Sequence, residues 1–154
     1  MKLIIGGFAQ GKLEYVLEQV AKELEKEHPE TEDINRQCED ECLILDEQTV
    51  QDKELQELIP GGNQKVIIVN HLHLIIRSFE EQETAWQQIR HLIRKCEQNH
   101  QELILISDEV GNGIIPLSRE DRDYRERVGR ILCLLAKEAD EVVRVICGLA
   151  QILK

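Results

Sequence analysis

The most restrictive feature of the sequence is a glycine-rich turn between a short apolar run and an amphipathic segment. Leu3, Ile4 and Ile5 form the apolar run, which predicts a buried strand. After the turn, apolar side chains fall on one stripe of a helix: Leu13, Val16, Leu17, Val20, Ala21 and Leu24. A strand, a tight turn and a helix in this order favour an α/β fold.

The turn satisfies the phosphate-binding pattern G-x-x-x-x-G-K in the strand-then-helix context that the pattern requires. It consists of Gly6, Gly7, Phe8, Ala9, Gln10, Gly11 and Lys12. Glycine at the first and sixth positions lets successive N–H groups turn toward phosphate oxygens. The helix N-terminus adds partial positive charge, and Lys12 can reach the outer phosphates. The turn therefore predicts a nucleotide or phosphate site; the alternative is a tight turn that needs glycine only for its geometry.

The residue after Lys12 departs from the pattern. It is normally Ser or Thr, whose hydroxyl coordinates the Mg²⁺ of the nucleotide, and here it is Leu13. We therefore expect residues 6–13 to contact a nucleotide without the hydroxyl that usually binds its metal.

Composition indicates an ordinary single domain over residues 1–154. The chain is 42% hydrophobic and 32% charged, which is sufficient for a core. There is no targeting pattern and no apolar run long enough to span a bilayer, and five scattered cysteines suggest reduced thiols, so we expect a cytoplasmic protein. The net charge of −11 disfavours nucleic acid and acidic membranes as partners.

The rest of the chain alternates between predicted strands and helices. We expect strands at residues 43–45, 66–69, 103–106, 142–146 and 149–153, and helices at 50–59, around 85–96, and from a Ser118–Asp121 capping box to about Ala139. Such alternation implies a three-layer α/β sandwich around a mostly parallel sheet.

A polar, glycine-rich loop follows the strand at 103–106. Ligands of open α/β sheets bind outside the carboxyl ends of the strands, so this loop should share a rim with the turn at 6–11. We expect Asp108 and Glu109 from this loop, and Asn70 from the end of the strand at 66–69, to form a second rim of the site. Asp108 or Glu109 is a candidate metal carboxylate; alternatively, Glu109 binds the amides of its own loop.

The segment at 103–148 resembles the C-terminal half of the adenosylcobinamide kinase / adenosylcobinamide-phosphate guanylyltransferase family of cobalamin biosynthesis. That family has a Ser/Thr-Asn-Glu-Val-Gly-x-Gly-Ile-Val-Pro loop, a Gly-Arg-x-Asn-x-x-Leu-Ala helix and a final valine-rich strand. Residues at matching places are Ser107, Glu109, Val110, Gly111, Gly113, Ile114, Pro116, Arg119, Gly129, Arg130, Leu135, Ala136, Ala139, Asp140, Glu141, Val142 and Gly148. The family's Gly-Gly-x-x-x-Gly-Lys-Ser opening also fits Gly6, Gly7, Gly11 and Lys12.

The resemblance implies a P-loop NTPase-like fold, often a homotrimer. Members use a nucleoside triphosphate to phosphorylate the aminopropanol hydroxyl of adenosylcobinamide, and then transfer GMP from GTP to the product. For this chain the resemblance therefore implies GTP or ATP as the nucleotide, adenosylcobinamide as a second ligand, and a homo-oligomer.

Functional groups of that family are missing here. Leu13 replaces the loop hydroxyl, and Asn70 replaces an acidic residue at the strand end. Residues 28–58 contain no His-x-x-x-Arg-Pro-like segment to carry the guanylylated histidine, although His71 or His73 is a candidate substitute. Phosphoryl transfer needs a positioned Mg²⁺, and guanylyl transfer needs a nucleophilic histidine.

Two interpretations stay open on these residues. The first is a cobinamide kinase-type phosphotransferase that has lost guanylyl transfer. The second is a catalytically degenerate nucleotide- or corrinoid-binding relative with a regulatory or scaffolding role. The first binds a nucleotide, the second binds a nucleotide or a corrinoid, and neither interpretation settles the use of Mg²⁺.

Overall fold

The central sheet contains six strands in the part of the chain that the computed structural model describes, which is residues 1–27, 40–50, 54–59, 64–111 and 117–154. The strands are β1 Lys2–Gly6, β2 Cys42–Leu45, β3 Val66–Val69, β4 Glu102–Asp108, β5 Glu141–Ile146 and β6 Leu149–Ile152. The helices are α1 Lys12–Glu27, α2 Leu72–Arg77, α3 Gln82–Gln98 and α4 Arg119–Glu138, with a 3₁₀ turn at Leu55–Leu58.

The strand order is β2-β3-β4-β1-β5-β6, so that β1 lies between β4 and β5. All neighbouring strands are parallel except β5 and β6, which form an antiparallel hairpin. The register places Gly6 of β1 opposite Asp108 of β4 and Val145 of β5. This pairing confirms the predicted mostly parallel α/β fold. Because parallel strands end at the same edge of a sheet, the turn after β1 meets the end of β4.

Helix α1 covers one face of the sheet. Its predicted stripe is confirmed, since Val16, Val20 and Leu24 are buried, while Leu13 and Leu17 are partly buried at the margin. The stripe packs in one cluster with Ile4, Ile104, Ile106, Val143 and Val145. Each such side chain contributes about 1.5–3 kcal/mol when fully buried.

Helices α2, α3 and α4 cover the opposite face. The alternate strand residues Leu3, Leu105 and Val142 point to this side and join a larger apolar cluster. The helices contribute residues that are fully buried, among them Ile75, Ile89 and Ile131. With both faces covered, the strands read as continuous apolar runs rather than alternating ones.

Two segments differ from the sequence prediction. In the described part of residues 50–59 there is a 3₁₀ turn at Leu55–Leu58 rather than an α-helix, and residues 51–53 lie outside the described residues. Leu55 and Ile59 are both buried, so this short segment is held by two core contacts rather than by a helical stripe. The predicted strand at 103–106 continues to Asp108, because the parallel pairing with β1 extends to Gly6.

The segment after β3 is a helix. His71 adopts a left-handed conformation with φ 52°, which reverses the chain directly into α2. The Ser118–Asp121 cap predicted for α4 is confirmed, since the Asp121 N–H donates to Ser118 Oγ at 3.0 Å. The glycine-rich loop is described as far as Gly111, and residues 112–116 lie outside the described residues.

We expect Gly6→Ala and Gly129→Ala to change stability in opposite directions. A Cβ at Gly6 would lie 2.4 Å from the Val145 carbonyl oxygen, so this substitution should lower the free energy of unfolding by about 1–3 kcal/mol. A Cβ at Gly129, within α4, would meet no atom within 4 Å. Gly129→Ala should therefore raise the free energy of unfolding by about 1 kcal/mol, because alanine has the higher helix propensity. Urea denaturation of both variants measures the two changes. Unchanged stability of Gly6→Ala would contradict the close approach of β1 and β5.

Candidate functional site

Residues 6–12, called the phosphate loop here after the sequence pattern that they match, fold tightly at the carboxyl end of β1. Gly11 has φ +78° and Ala9 has φ 53°, both in the left-handed region that such a turn requires. The Gly11 carbonyl accepts the first helical hydrogen bond of α1 from Tyr15 N at 3.0 Å. Phe8 is 86% exposed, so its ring does not fill the concave side of the loop.

Gln10 anchors the outer side of the phosphate loop to the turn between β5 and β6. Its side-chain Oε1 accepts a hydrogen bond from Cys147 N at 2.6 Å, and its carbonyl accepts one from Gly148 N at 2.9 Å. Cys147 and Gly148 both have positive φ, which is typical of a two-residue hairpin turn. The sequence pattern placed Gln10 in the loop but gave no signal for this partner.

Lys12 lies beneath the loop rather than in solvent. Its Nζ donates to the Gly7 carbonyl at 2.7 Å and lies 2.6 Å from Asp108 Oδ1. The two side chains are only 7% and 12% exposed, so their charges interact in a less polar environment than water. The structure therefore brings together the loop lysine and one of the three residues predicted for the second rim.

His73 holds Asp108 from the other side. The Asp108 backbone N–H donates to His73 Nδ1 at 3.2 Å, and His73 Nε2 lies 3.7 Å from Asp108 Oδ2. Burial lowers the pKa of His73, and its carboxylate neighbour opposes this shift only in part. In a neutral ring whose Nδ1 accepts, the proton is on Nε2, which faces the carboxylate.

Glu109 and Asn70 occupy different places on the rim. Glu109 N donates to the Gly6 carbonyl at 2.8 Å, and its carboxylate pairs with Arg144 of β5 at 2.8 Å. Asn70 follows β3, where its backbone N–H donates to the Leu45 carbonyl at 2.7 Å. Because β4 lies between β3 and β1, Asn70 is one strand further from the loop than Asp108. The sequence analysis did not predict Arg144 as part of the site. The one sequence feature that could have indicated it is a charged residue within the valine-rich strand β5.

The side chains present suit a metal that arrives with a nucleotide, and they do not form a cage of their own. Within the described ranges, no group of three or more His, Cys, Asp or Glu side chains is placed to hold a metal ion. Mg²⁺ commonly takes only one or two protein carboxylates and completes its shell with phosphates and water. Asp108, next to Lys12, fits that limited requirement, whereas Leu13 supplies no ligand.

The model of the cobinamide kinase / cobinamide phosphate guanyltransferase family matches residues 45–153. The chain belongs to this family. The bifunctional adenosylcobalamin biosynthesis proteins CobU of Escherichia coli K12 and Salmonella typhimurium LT2 are each 37% identical to it over 67 residues. That stretch is 44% of this chain but only 37% of each relative, so little more than a third of the curated proteins is matched.

The family match covers one part of the site and not the other. His73, Asp108, Glu109 and Arg144 lie inside the matched residues, whereas the phosphate loop precedes them. The resemblance over 103–148 to the cobinamide kinase family is thus confirmed. None of the described helices has the length and hydropathy needed to cross a membrane.

We expect Lys12 and Asp108 to be coupled in stability. Lys12→Met should lower the free energy of unfolding by about 3 kcal/mol, because it leaves the Asp108 carboxylate buried without its cation. Adding Asp108→Asn should recover part of this loss, which a double-mutant cycle in urea measures.

Lys22→Met is the matched control on the same helix. Lys22 is 58% exposed and 3.9 Å from Glu18, so its removal should change stability by less than about 0.5 kcal/mol. Strictly additive effects of Lys12→Met and Asp108→Asn would show that the buried pair is not coupled.

Proposed function

We propose that this protein binds ATP or GTP through residues 6–13 and acts in cobalamin biosynthesis as a cobinamide kinase-type phosphotransferase without guanylyl transfer. The observation that carries the proposal is the buried Lys12 Nζ, which lies below a glycine turn and 2.6 Å from Asp108. Family membership supplies the substrate class, cobinamide and its derivatives.

The geometry of the loop supports binding of a triphosphate. The first turn of α1 and the loop present backbone N–H groups at one end of the helix, where an anion is stabilised. Lys12 is already desolvated and held at the Gly7 carbonyl, so little ordering of its long side chain is needed on binding. The Phe8 ring is exposed and the Gln10 side chain is bound to Cys147 N, so neither side chain fills the loop.

Phosphoryl transfer requires mainly positioning and charge stabilisation from the protein. The acceptor hydroxyl oxygen would bond to the γ-phosphorus while the bond to the bridging oxygen breaks, and the hydroxyl proton would pass to solvent. In this scheme Lys12 and the loop amides hold the outer phosphates, and water is the only proton acceptor that the proposal invokes.

The described histidines near the site support the loss of guanylyl transfer. A nucleophilic histidine needs an accessible nitrogen, but His73 is 7% exposed and its Nδ1 accepts from the Asp108 backbone. The His71 side chain is 45% exposed, and its Nδ1 lies 3.0 Å from the Glu47 carboxylate, one strand away from β4. His28 lies outside the described residues.

A second candidate function is a nucleotide- or corrinoid-binding relative without turnover, with a regulatory or scaffolding role. It is favoured by Leu13, which packs at the margin of the apolar cluster under α1 where a metal-binding hydroxyl is usual. Asn70, which follows β3, also favours this second candidate, because its side chain carries no charge where the family has an acidic residue. A homo-oligomer, which the family resemblance implies, stays a prediction under both candidates.

We expect Lys12→Ala to weaken ATP and GTP binding about 10- to 100-fold, because a charge-assisted contact to phosphate is lost. Calorimetric titration measures the affinity, with the exposed Lys22→Ala as the control that removes the same charge from α1. Equal affinity of Lys12→Ala and the natural protein would show that residues 6–12 do not form the phosphate site.

We expect labelled γ-phosphate to move to cobinamide and labelled GMP not to become attached to the protein. Tight nucleotide binding with no phosphate transfer would favour the binding relative over the kinase. An acid-labile protein–GMP adduct would contradict the loss of guanylyl transfer, and His71→Asn would then test whether that exposed ring carries it.

A further inference from the structure

The carboxylate of Asp108 lies where a bound triphosphate would bring further negative charge. Its Oδ1 is 2.6 Å from Lys12 Nζ, the atom that would also contact phosphate oxygens. Both side chains are largely buried, so repulsion between the carboxylate and a phosphate would be weakly screened. A bound triphosphate would therefore compete with Asp108 for Lys12, and the carboxylate would then have to move away or be neutralised by another cation.

The structure restrains Asp108 from moving away. Asp108 is the last residue of β4 and is paired with Gly6 of β1. Its N–H is bound to His73 Nδ1, and His73 belongs to α2, whose side chains Ile75 and Ile76 lie in the core. The main chain is thus fixed from two sides, and neutralisation by a cation is the simpler solution.

We propose that Asp108 is the protein carboxylate that holds a divalent cation, Mg²⁺, on the bound triphosphate, so that the protein selects the metal complex over the free nucleotide. This inference rests on the proposed nucleotide binding at residues 6–13. One carboxylate is sufficient, because Mg²⁺ is commonly bound through one or two carboxylates together with phosphates and water.

The position of the acid in this chain supports Asp108 over the other candidates. Asn70 is uncharged and follows β3, which is separated from β1 by β4. The Glu109 carboxylate pairs with Arg144 of β5 at 2.8 Å, whereas the Asp108 carboxylate pairs with the lysine that would contact phosphate. Asp108 is therefore the rim carboxylate that directly contacts the phosphate-loop lysine.

The proposal predicts opposite effects of Asp108→Asn with and without metal. In excess EDTA, the variant should bind ATP or GTP more tightly than the natural protein, because a repulsive charge is removed and Lys12 is released. In excess MgCl₂ it should bind more weakly, because the carboxylate ligand is lost. The natural protein should gain about tenfold or more in affinity from Mg²⁺, and in Asp108→Asn this ratio should fall to about one.

The experiment is a calorimetric titration of ATP and GTP in EDTA and in MgCl₂ with the natural protein, Asp108→Asn, Asp108→Glu and Asp123→Asn. Asp108→Glu keeps the carboxylate and should keep a Mg²⁺ preference. Asp123 lies on α4 with its side chain 58% exposed, so its variant controls for the loss of one negative charge. Circular dichroism checks that each variant is folded.

Several results would overturn the inference. If Asp108→Asn binds nucleotide equally more weakly in EDTA and in MgCl₂, Asp108 only positions Lys12. If it binds nucleotide equally more tightly in both conditions, Asp108 only competes with phosphate for Lys12. If the natural protein binds nucleotide equally with and without Mg²⁺ while Lys12→Ala abolishes binding, the proposed function stands and this inference fails. If the natural protein binds no nucleotide in either condition, both fail. Should Asp108→Asn not fold, the Mg²⁺ dependence of the natural protein and of Asp108→Glu decides.

Discussion

The buried ion pair between Lys12 and Asp108 is the contact on which the arrangement of the site depends. It joins the first turn of α1 to the end of β4, and through His73 it also fixes α2. Burying two charges costs free energy that their attraction only partly offsets, so such a pair is weak evidence for stability. Its consequence here is geometric, because it holds a cation and an anion ready beside the phosphate loop.

The close packing of strands around β1 makes that contact possible. Gly6 has no side chain, so the Val145 carbonyl of β5 can approach within a distance that any Cβ would forbid. The parallel register on the other side then places Asp108 opposite Gly6. A two-residue turn at Cys147 and Gly148 closes the outer side by binding Gln10. The phosphate loop is therefore shaped by three strands and not by its own glycines alone.

Family membership gives the chemical context of the protein without fixing its chemistry. The matched residues 45–153 include the rim of the site, whereas the phosphate loop lies before them. In this chain the rim acid next to the lysine stands on β4, the residue after β3 is the neutral Asn70, and Leu13 follows Lys12. A carboxylate on a different strand could act on a bound phosphate only if the sheet placed it near Lys12, and the register of β1 and β4 does place Asp108 there.

The sequence by itself determined the elements that depend on local pattern. The apolar runs at 3–5 and 66–69, the stripe of α1 and the Ser118 cap each follow from short-range spacing, and so does the glycine turn before α1. In the described part of the 50–59 segment, a 3₁₀ turn at Leu55–Leu58 with Leu55 and Ile59 in the core replaces the predicted α-helix. Only the tertiary structure decided the partners of Lys12, Gln10 and Glu109. Gln10 and Cys147, for example, are 137 residues apart, and strand order and register, which no local pattern encodes, bring them into contact.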